Sequence, residues 1–492
     1  MTGFIDSKLN RVRFRVRRLA VWSCLAILCF SHSRCLAQQS NAADLAEHQQ
    51  WEQLTESIRN KTAKPNTKQP DGTTALHWSA FHGNSDAVTT LLKSGADTNS
   101  LNQYDVSPLS IACELGHAKV ASLLIDADAD LEQRRLGRER PLMLAARNGN
   151  ATIVEKLIDA GADLNAREVK GQNALMWAAA EGNLETVKKL IEAGADTTHK
   201  LKSGFNPLMF AARNGRSSTV QFLAHNGFDI ESTLNPPKTS GRHPRKGMSP
   251  LMLAIESGHL ELALKIIEWG GDPNDQRSGF APLHALITVR RSNRGDDVAS
   301  DPPPRITGKI DSLEFVRQIV KAGADINLQL EKGKTGQAKL SRRGATPFLL
   351  ASANADLELM KLLLELGADP ELTNADDCNA LMAAAGVGAI AVDEYPGSEE
   401  EVCAAIKMLH GLGMDPDHVD KNRETAMHGA AYRAYPNAIA TLAKIGATPK
   451  VWNQQNKHSW TPYDIADGKR PGSVKPSPET KAALDLVVQA SQ

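Results

Sequence analysis

The chain has 492 residues, and its 57 basic and 57 acidic side chains cancel. Residues 1–37 hold seven Lys or Arg and one acid, so the remainder keeps 50 basic and 56 acidic groups and a net charge of −6. A mildly acidic chain is a poor candidate for general nucleic-acid binding, which draws its affinity from neutralising phosphates. Setting the same 37 residues aside removes Cys24, Cys29 and Cys35 and leaves Cys113, Cys378 and Cys403, an odd and irregularly spaced set that makes no disulfide framework.

Lys8, Arg11, Arg13, Arg15, Arg17 and Arg18 precede an apolar run from Leu19 to Phe30, and Cys35-Leu36-Ala37 offers small residues at the cleavage-determining positions. This pattern predicts a secretory signal peptide over 1–37, cut after Ala37. Its apolar run is shorter than the roughly 20 residues that span a bilayer as a helix, so a retained anchor is the second reading. The expected location is the periplasm of a Gram-negative bacterium, or the exterior. Residues 38–70 follow, with Leu45, Trp51, Leu54 and Ile58 spaced among polar neighbours as in a capping helix pair or degenerate repeat.

From Thr74 a four-residue signature recurs: Thr74-Ala75-Leu76-His77, Ser107-Pro108-Leu109-Ser110, Arg140-Pro141-Leu142-Met143, Asn173-Ala174-Leu175-Met176 and Asn206-Pro207-Leu208-Met209, each 33 residues after the last. It continues at wider or narrower gaps from Ser249, Ala281, Thr346, Asn379 and Thr425, and Thr461-Pro462-Tyr463-Asp464 opens a partial eleventh copy. A polar residue followed by Pro starts a helix, because the ring presets φ and gives up an N–H that lacks a helical partner anyway. Gly83, Gly116, Gly149, Gly182, Gly215 and Gly258 end these first helices, where a left-handed backbone costs least. A second helix follows with apolar residues at helical spacing, such as Ile153, Val154 and Leu157, and stops at Gly-Ala-Asp. No single copy buries its own apolar face, so the copies must stack. The repeats are expected over 71–458, with a partial repeat and capping helix over 459–492.

With these residues in place, the chain resembles the ankyrin-repeat proteins from residue 71 to about residue 470. The resemblance implies an all-α solenoid of stacked helix-turn-helix units with β-hairpin fingers, and a concave surface formed by fingers and first helices. It also implies a non-catalytic role in binding another protein.

Four insertions break the period, near 233–246, 290–310, 328–343 and 389–398. The first and third lengthen fingers and are basic; the second and fourth lie between the two helices of a unit. Because fingers and interhelical turns lie at different edges of such a stack, the four are not expected to line one groove. The residue just before each signature varies, and Phe205, Met248 and Phe280 form an apolar series in it. In the resembled family this position faces the concave surface. A partner site is therefore expected on units five to eight, with Phe205, Met248 and Phe280 as exposed anchors and Arg242, Arg245, Lys246, Arg342 and Arg343 steering an acidic protein partner. The alternative is that the apolar residues pack against the lengthened fingers.

Nothing in the sequence points to a cofactor, a metal or a catalytic set. His77, His284 and His428 stand at the resembled family's structural His position, where the imidazole bonds nearby backbone, and His117 and His259 follow interhelical glycines, another structural place, so no metal or catalytic role is expected of the five. His410 to His418, with Asp415, Asp417 and Asp420, falls on a turn between units and lacks ligand spacing on a helix. Trp78 and Trp177, on first helices, pack or line the surface. The favoured function is an exported interaction scaffold, against an enzyme or enzyme subunit built on the insertions, or a host-directed effector.

Overall fold

The computed structural model describes residues 41–237, 245–291, 304–333, 339–389, 395–469 and 475–491. The expected signal peptide, with its cleavage site, lies outside them. Ten helix pairs run from Ala75 to Lys444, the first being Ala75–Phe81 with Ser85–Lys93 and the last Ala426–Arg433 with Pro436–Lys444. A shorter pair, Ala42–Glu47 and Trp51–Arg59, precedes them, and Pro462–Ala466 with Pro478–Ala490 closes the described chain. A one-turn helix, Pro449–Trp452, occupies the last turn between units and buries Trp452.

Local chemistry sets each unit. In unit four the Asn173 side chain accepts the N–H of Met176 at 3.0 Å and caps Ala174–Glu181; in unit five Asn206 does the same for Met209 at 2.9 Å. Pro207, Pro250, Pro282 and Pro347 open their helices at the first position. Gly149 ends its helix at φ 87°, and a Cβ there would lie 2.5 Å from the Asn183 side chain of the next unit. Asn183 uses that space to donate to the carbonyls of Ala146 at 2.8 Å and Arg147 at 3.0 Å. The second helices each bury one face, for example Ile153, Val154 and Leu157, at about 1.5–3 kcal/mol per aliphatic side chain.

A second ladder joins the turns between units. Asn274 accepts the Asp325 N–H at 2.8 Å and donates to the Gly323 carbonyl at 3.0 Å; Asn327 bonds Asp369 and Gly367 in the same way. Replacing Asn274 with Ala should lower stability by about 1 kcal/mol, the net worth of exposed bonds of this kind. Urea titration of the two proteins measures it, and an unchanged midpoint would show the ladder to be ornamental.

The fingers are turns and not strands. Among the described residues the single β contact is an isolated antiparallel bridge between Lys68 and Thr74. The short fingers close tightly, as with Leu201 N to Phe205 O and Gly204 N to Leu201 O, both at 2.8 Å, with the fourth residue left-handed, as at Gly171, Gly204 and Arg138; the lengthened finger before unit six closes with Leu234 N to Met248 O at 2.9 Å and Gly247 N to Leu234 O at 2.8 Å. A side chain often completes the turn: Asn102 accepts the N–H groups of Tyr104 and Val106, and Asp420 those of Asn422 and Glu424. Such short closures leave no length for a β ladder, so among the described residues the fingers are tight hairpin turns without strands, and the all-α solenoid stands.

Candidate interaction surface

Fingers and first helices share one face of the stack. Four residues after each cap, the first helices of units one to five place Trp78, Ile111, Leu144, Trp177 and Phe210 on it, all half-buried except the buried Leu144. Trp177 lies under the Arg147 guanidinium, 4.8 Å from the ring centroid. Arg147 is held there by Glu114 at 2.7 Å, and Glu114 also pairs with Arg135 of the next finger at 2.7 Å. An aromatic ring is thus clamped against a cation whose position is fixed by a carboxylate, a geometry worth about 0.5–2 kcal/mol depending on exposure.

The expected anchors are not exposed. Phe205, Met248 and Phe280 are only 5%, 3% and 9% accessible. Phe205 packs on Phe210 with centroids 5.0 Å apart, and the Arg213 guanidinium covers it at 5.9 Å. The thioether of Met248 accepts the Arg245 N–H at 3.1 Å, while the finger backbone pairs Leu234 with Met248. Phe280 lies between two guanidinium groups, Arg245 and Arg342, each 4.9 Å from its ring. Residues of the lengthened fingers cover Met248 and Phe280, while Phe205 is covered by Phe210 and Arg213 of its own first helix.

Of the expected cations, the structure brings Arg245 and Arg342 together on Phe280, with Arg245 also paired to Glu256. Lys246 and Arg343 are exposed, and Arg242 lies outside the described residues. Large apolar side chains that do reach solvent include Phe81 and Leu115 at the ends of the first helices of units one and two, and Tyr104, Leu136 and Val169 on the fingers of units two to four. The finger tips were not among the expected site residues, although Leu136 and Val169 hold the same tip position in successive copies.

Family models for ankyrin repeats match the chain over residues 40–135 and 142–234, and over 246–278 and 343–375. Together these segments cover more than half of the sequence. The chain belongs to the ankyrin-repeat family.

Among curated proteins it is 26% identical over 244 residues to the mouse ankyrin repeat and SOCS box protein 16, a match covering 45% of this chain and 48% of that protein. It is 37% identical over 74 residues to mouse protein phosphatase 1 regulatory subunit 27, covering 15% of this chain and 48% of the other. With the Caenorhabditis elegans ankyrin repeat and KH domain-containing protein mask-1 it shares 26% over 179 residues, 30% of this chain and 7% of that one. The chain thus spans less than half the length of these relatives. A crystal structure of the human ASB11 ankyrin repeat domain matches with 23% identity and a TM-score of 0.38, over 43% of this chain and 91% of that one. Ankyrin repeats point to a protein–protein interaction scaffold, and proteins of this family are generally non-catalytic modules.

The ankyrin face is open in its first units and closed by the chain itself in its last. The position of Phe81, 41% exposed in unit one, is taken in unit ten by Tyr432, at 0%. Ala389 and Tyr395, from the interhelical insertion of unit nine, pack on Ala431, Tyr432 and Ile465. Gly388 lies so near the finger insertion before unit eight that a Cβ would fall 2.0 Å from the Leu340 N. The third insertion therefore reaches the chain just before the fourth. Lys339 and Leu340 of the finger insertion lie against the end of the unit-nine first helix.

Under this cover the ankyrin units bury ionisable groups. Glu424 accepts the Tyr432 hydroxyl at 2.7 Å and the Asn456 amide at 2.8 Å, and burial pushes its carboxyl up to about 7. Burial likewise lifts Asp420 to about 6 and pushes the Cys378 thiol well up. Cys113, Cys378 and Cys403 are free and buried. The histidines bond backbone: His77 to the Val106 carbonyl at 2.9 Å, His284 to Ala345 at 3.0 Å, His428 to Gln454 at 3.1 Å, His117 to Phe81 at 3.2 Å and His259 to Arg213 at 3.1 Å. His418 bonds the Asp377 carbonyl at 2.8 Å, and Asp417 accepts the Thr448 N–H at 2.8 Å, both as turn chemistry. Among the described residues no group of His, Cys, Asp and Glu is arranged to hold a metal, and no helix is long and apolar enough to cross a membrane.

Proposed function

We propose that the protein is an exported, non-catalytic scaffold that holds another protein, of acidic character, on the open part of its ankyrin face in units one to seven. The observation that carries this reading is the ladder of Trp177, Arg147, Glu114 and Arg135. It sets a half-buried aromatic ring and a fixed cation side by side on a face that the chain leaves uncovered. Aromatic and Arg side chains in such a setting are the usual carriers of binding energy between proteins. Phe280, clamped by Arg245 and Arg342, supports the finger that borders this face and adds positive charge to it. Export rests on the basic and apolar pattern of residues 1–37.

Crosslinking in the native cell, followed by fractionation, tests both parts. The wild type should capture a defined protein in the exported fraction, and Trp177→Ala with Phe210→Ala should lose about tenfold or more of that capture. Capture unchanged by the double substitution would remove the face from the proposal. Recovery of the mature chain in the cytosol would remove export, and recovery in a host cell would favour an effector.

A further inference from the structure

The finger tips of units three to five carry a charge that the rest of the fold does not neutralise. Arg134 and Arg138 on finger three, Arg167 and Lys170 on finger four, and Lys200 and Lys202 on finger five are all exposed. None of the six makes an ion pair or a side-chain hydrogen bond among the described residues. Cations elsewhere in these units behave differently. On the second helices Lys156 pairs with Asp126 at 2.7 Å, Lys189 with Glu155 at 3.0 Å and Lys188 with Glu185 at 2.8 Å. Within finger three itself, Arg135 is held by Glu114 and Arg140 by Glu132 and Asp163. Of the acids in these fingers, Glu168 is buried and spends its carboxylate on the N–H groups of Lys170 and Gln172, and Glu139 is half-buried.

Apolar side chains stand among these cations. Leu136 is 72% exposed and Val169 62% exposed, and the two tips are adjacent, since Val169 donates its N–H to the Gly137 carbonyl at 3.2 Å. Two aliphatic side chains at the outermost points of neighbouring fingers, flanked by unpaired positive charge, have no role in holding the repeat together. The sequence elsewhere uses a Pro, Gln or Lys at the same point, in Pro70, Gln103 and Lys202.

We infer that the fingers of units three to five bind an acidic polypeptide segment that interleaves carboxylates with aliphatic side chains, the aliphatics resting on Leu136 and Val169 and the carboxylates between the six cations. The inference rests on the scaffold reading and names the chemistry of the partner. Charge complementarity selects an acidic occupant. Continuity selects a polypeptide. Arg135 at the root of finger three shares Glu114 with Arg147, so the tips run directly into the Trp177 face. An extended chain can follow both surfaces, whereas a bilayer would reach the tips alone.

The test uses the full chain and a fluorescein-labelled peptide of repeated Glu-Glu-Leu, with Glu-Glu-Ser and Lys-Lys-Leu repeats as controls, read by fluorescence anisotropy at low and high salt. The Glu-Glu-Leu peptide should bind, weaken as salt rises, and lose about tenfold in Leu136→Ser with Val169→Ser, and again in Arg134→Glu with Lys170→Glu and Lys202→Glu. All these side chains are exposed, and matching circular dichroism melts confirm that the variants fold. Equal binding of the Lys-Lys-Leu peptide, or no binding of Glu-Glu-Leu, overturns the inference. So does preferential recovery on vesicles of phosphatidylcholine and phosphatidylserine. If the native partner is captured equally well by the finger variants, the finger site falls and the scaffold reading stands. If no native partner is captured by any form, the scaffold reading falls.

Discussion

Replacing Glu424 with Gln makes the protein more stable by about 3 kcal/mol at about pH 8 and changes little at about pH 4. Glu424 is 2% exposed, and burial raises its carboxyl from 4.5 to about 7, with the Tyr432 hydrogen bond opposing that rise and the Asp420 charge adding to it. Below pH 4.5 the folded and unfolded chains both carry the proton, and burial of the neutral acid is undisturbed. As pH rises from there, the unfolded chain releases the proton first. The folded state is then penalised progressively until Glu424 itself ionises near 7. Gln keeps an acceptor for Tyr432 and Asn456 and never ionises, so it removes the penalty.

His284 and His428 act across the same pH range with the opposite sign. Burial lowers both to about 4 from 6.5. The stability they contribute is complete above 6.5 and drains away as pH falls toward 4. Wild type and variant share these histidines, so their contribution cancels in the difference between the two urea titrations. A difference that is flat with pH, or absent at pH 8, would show that burial does not raise the Glu424 carboxyl.

Much of this architecture could be read from the residues alone because its causes are local. A Pro at the first helical position, an Asn or Thr cap and a left-handed Gly act within a few residues, and they recur in register from Thr74 to Thr461. The face that the units present was harder to read. Phe205, Met248 and Phe280 have the composition of an exposed hot spot. Phe205 is covered by Phe210 and Arg213 of its own helix, Met248 and Phe280 meet Arg245 of a lengthened finger, and Arg342 reaches Phe280 from the next finger. The same holds for the covered units. Nothing near Tyr432 in sequence shows that Ala389 and Tyr395 will lie over it. The tips were legible in principle, since Leu136 and Val169 occupy equivalent positions, but their exposure depends on how neighbouring fingers align, which no local pattern encodes.

Arg433 carries the second large effect. Its side chain is fully buried, donates to the Ala353 carbonyl at 2.6 Å and to the Tyr395 carbonyl at 3.4 Å, and lies 5.7 Å from the rings of both Tyr395 and Tyr435. Space for it exists because Gly386 has no side chain; a Cβ there would fall 2.6 Å from the Arg433 Cγ. One guanidinium thus ties the end of the unit-eight first helix to the insertion of unit nine and to unit ten. Arg433→Ala removes the donors from buried carbonyls and leaves a cavity, and should cost about 3–5 kcal/mol. Arg433→Met fills most of the space without restoring the bonds and should recover part of that loss. The damage should stay within units eight to ten, which the guanidinium ties together, because coupling beyond them passes only from one unit to the next. Hydrogen exchange should therefore accelerate in Ala380–Ala385 and Ala426–Arg433 while Ala174–Glu181 keeps its protection. If Arg433→Ala matched the wild type in urea, or loosened all units equally, the view of Arg433 as the tie beneath the covered face would have to be given up.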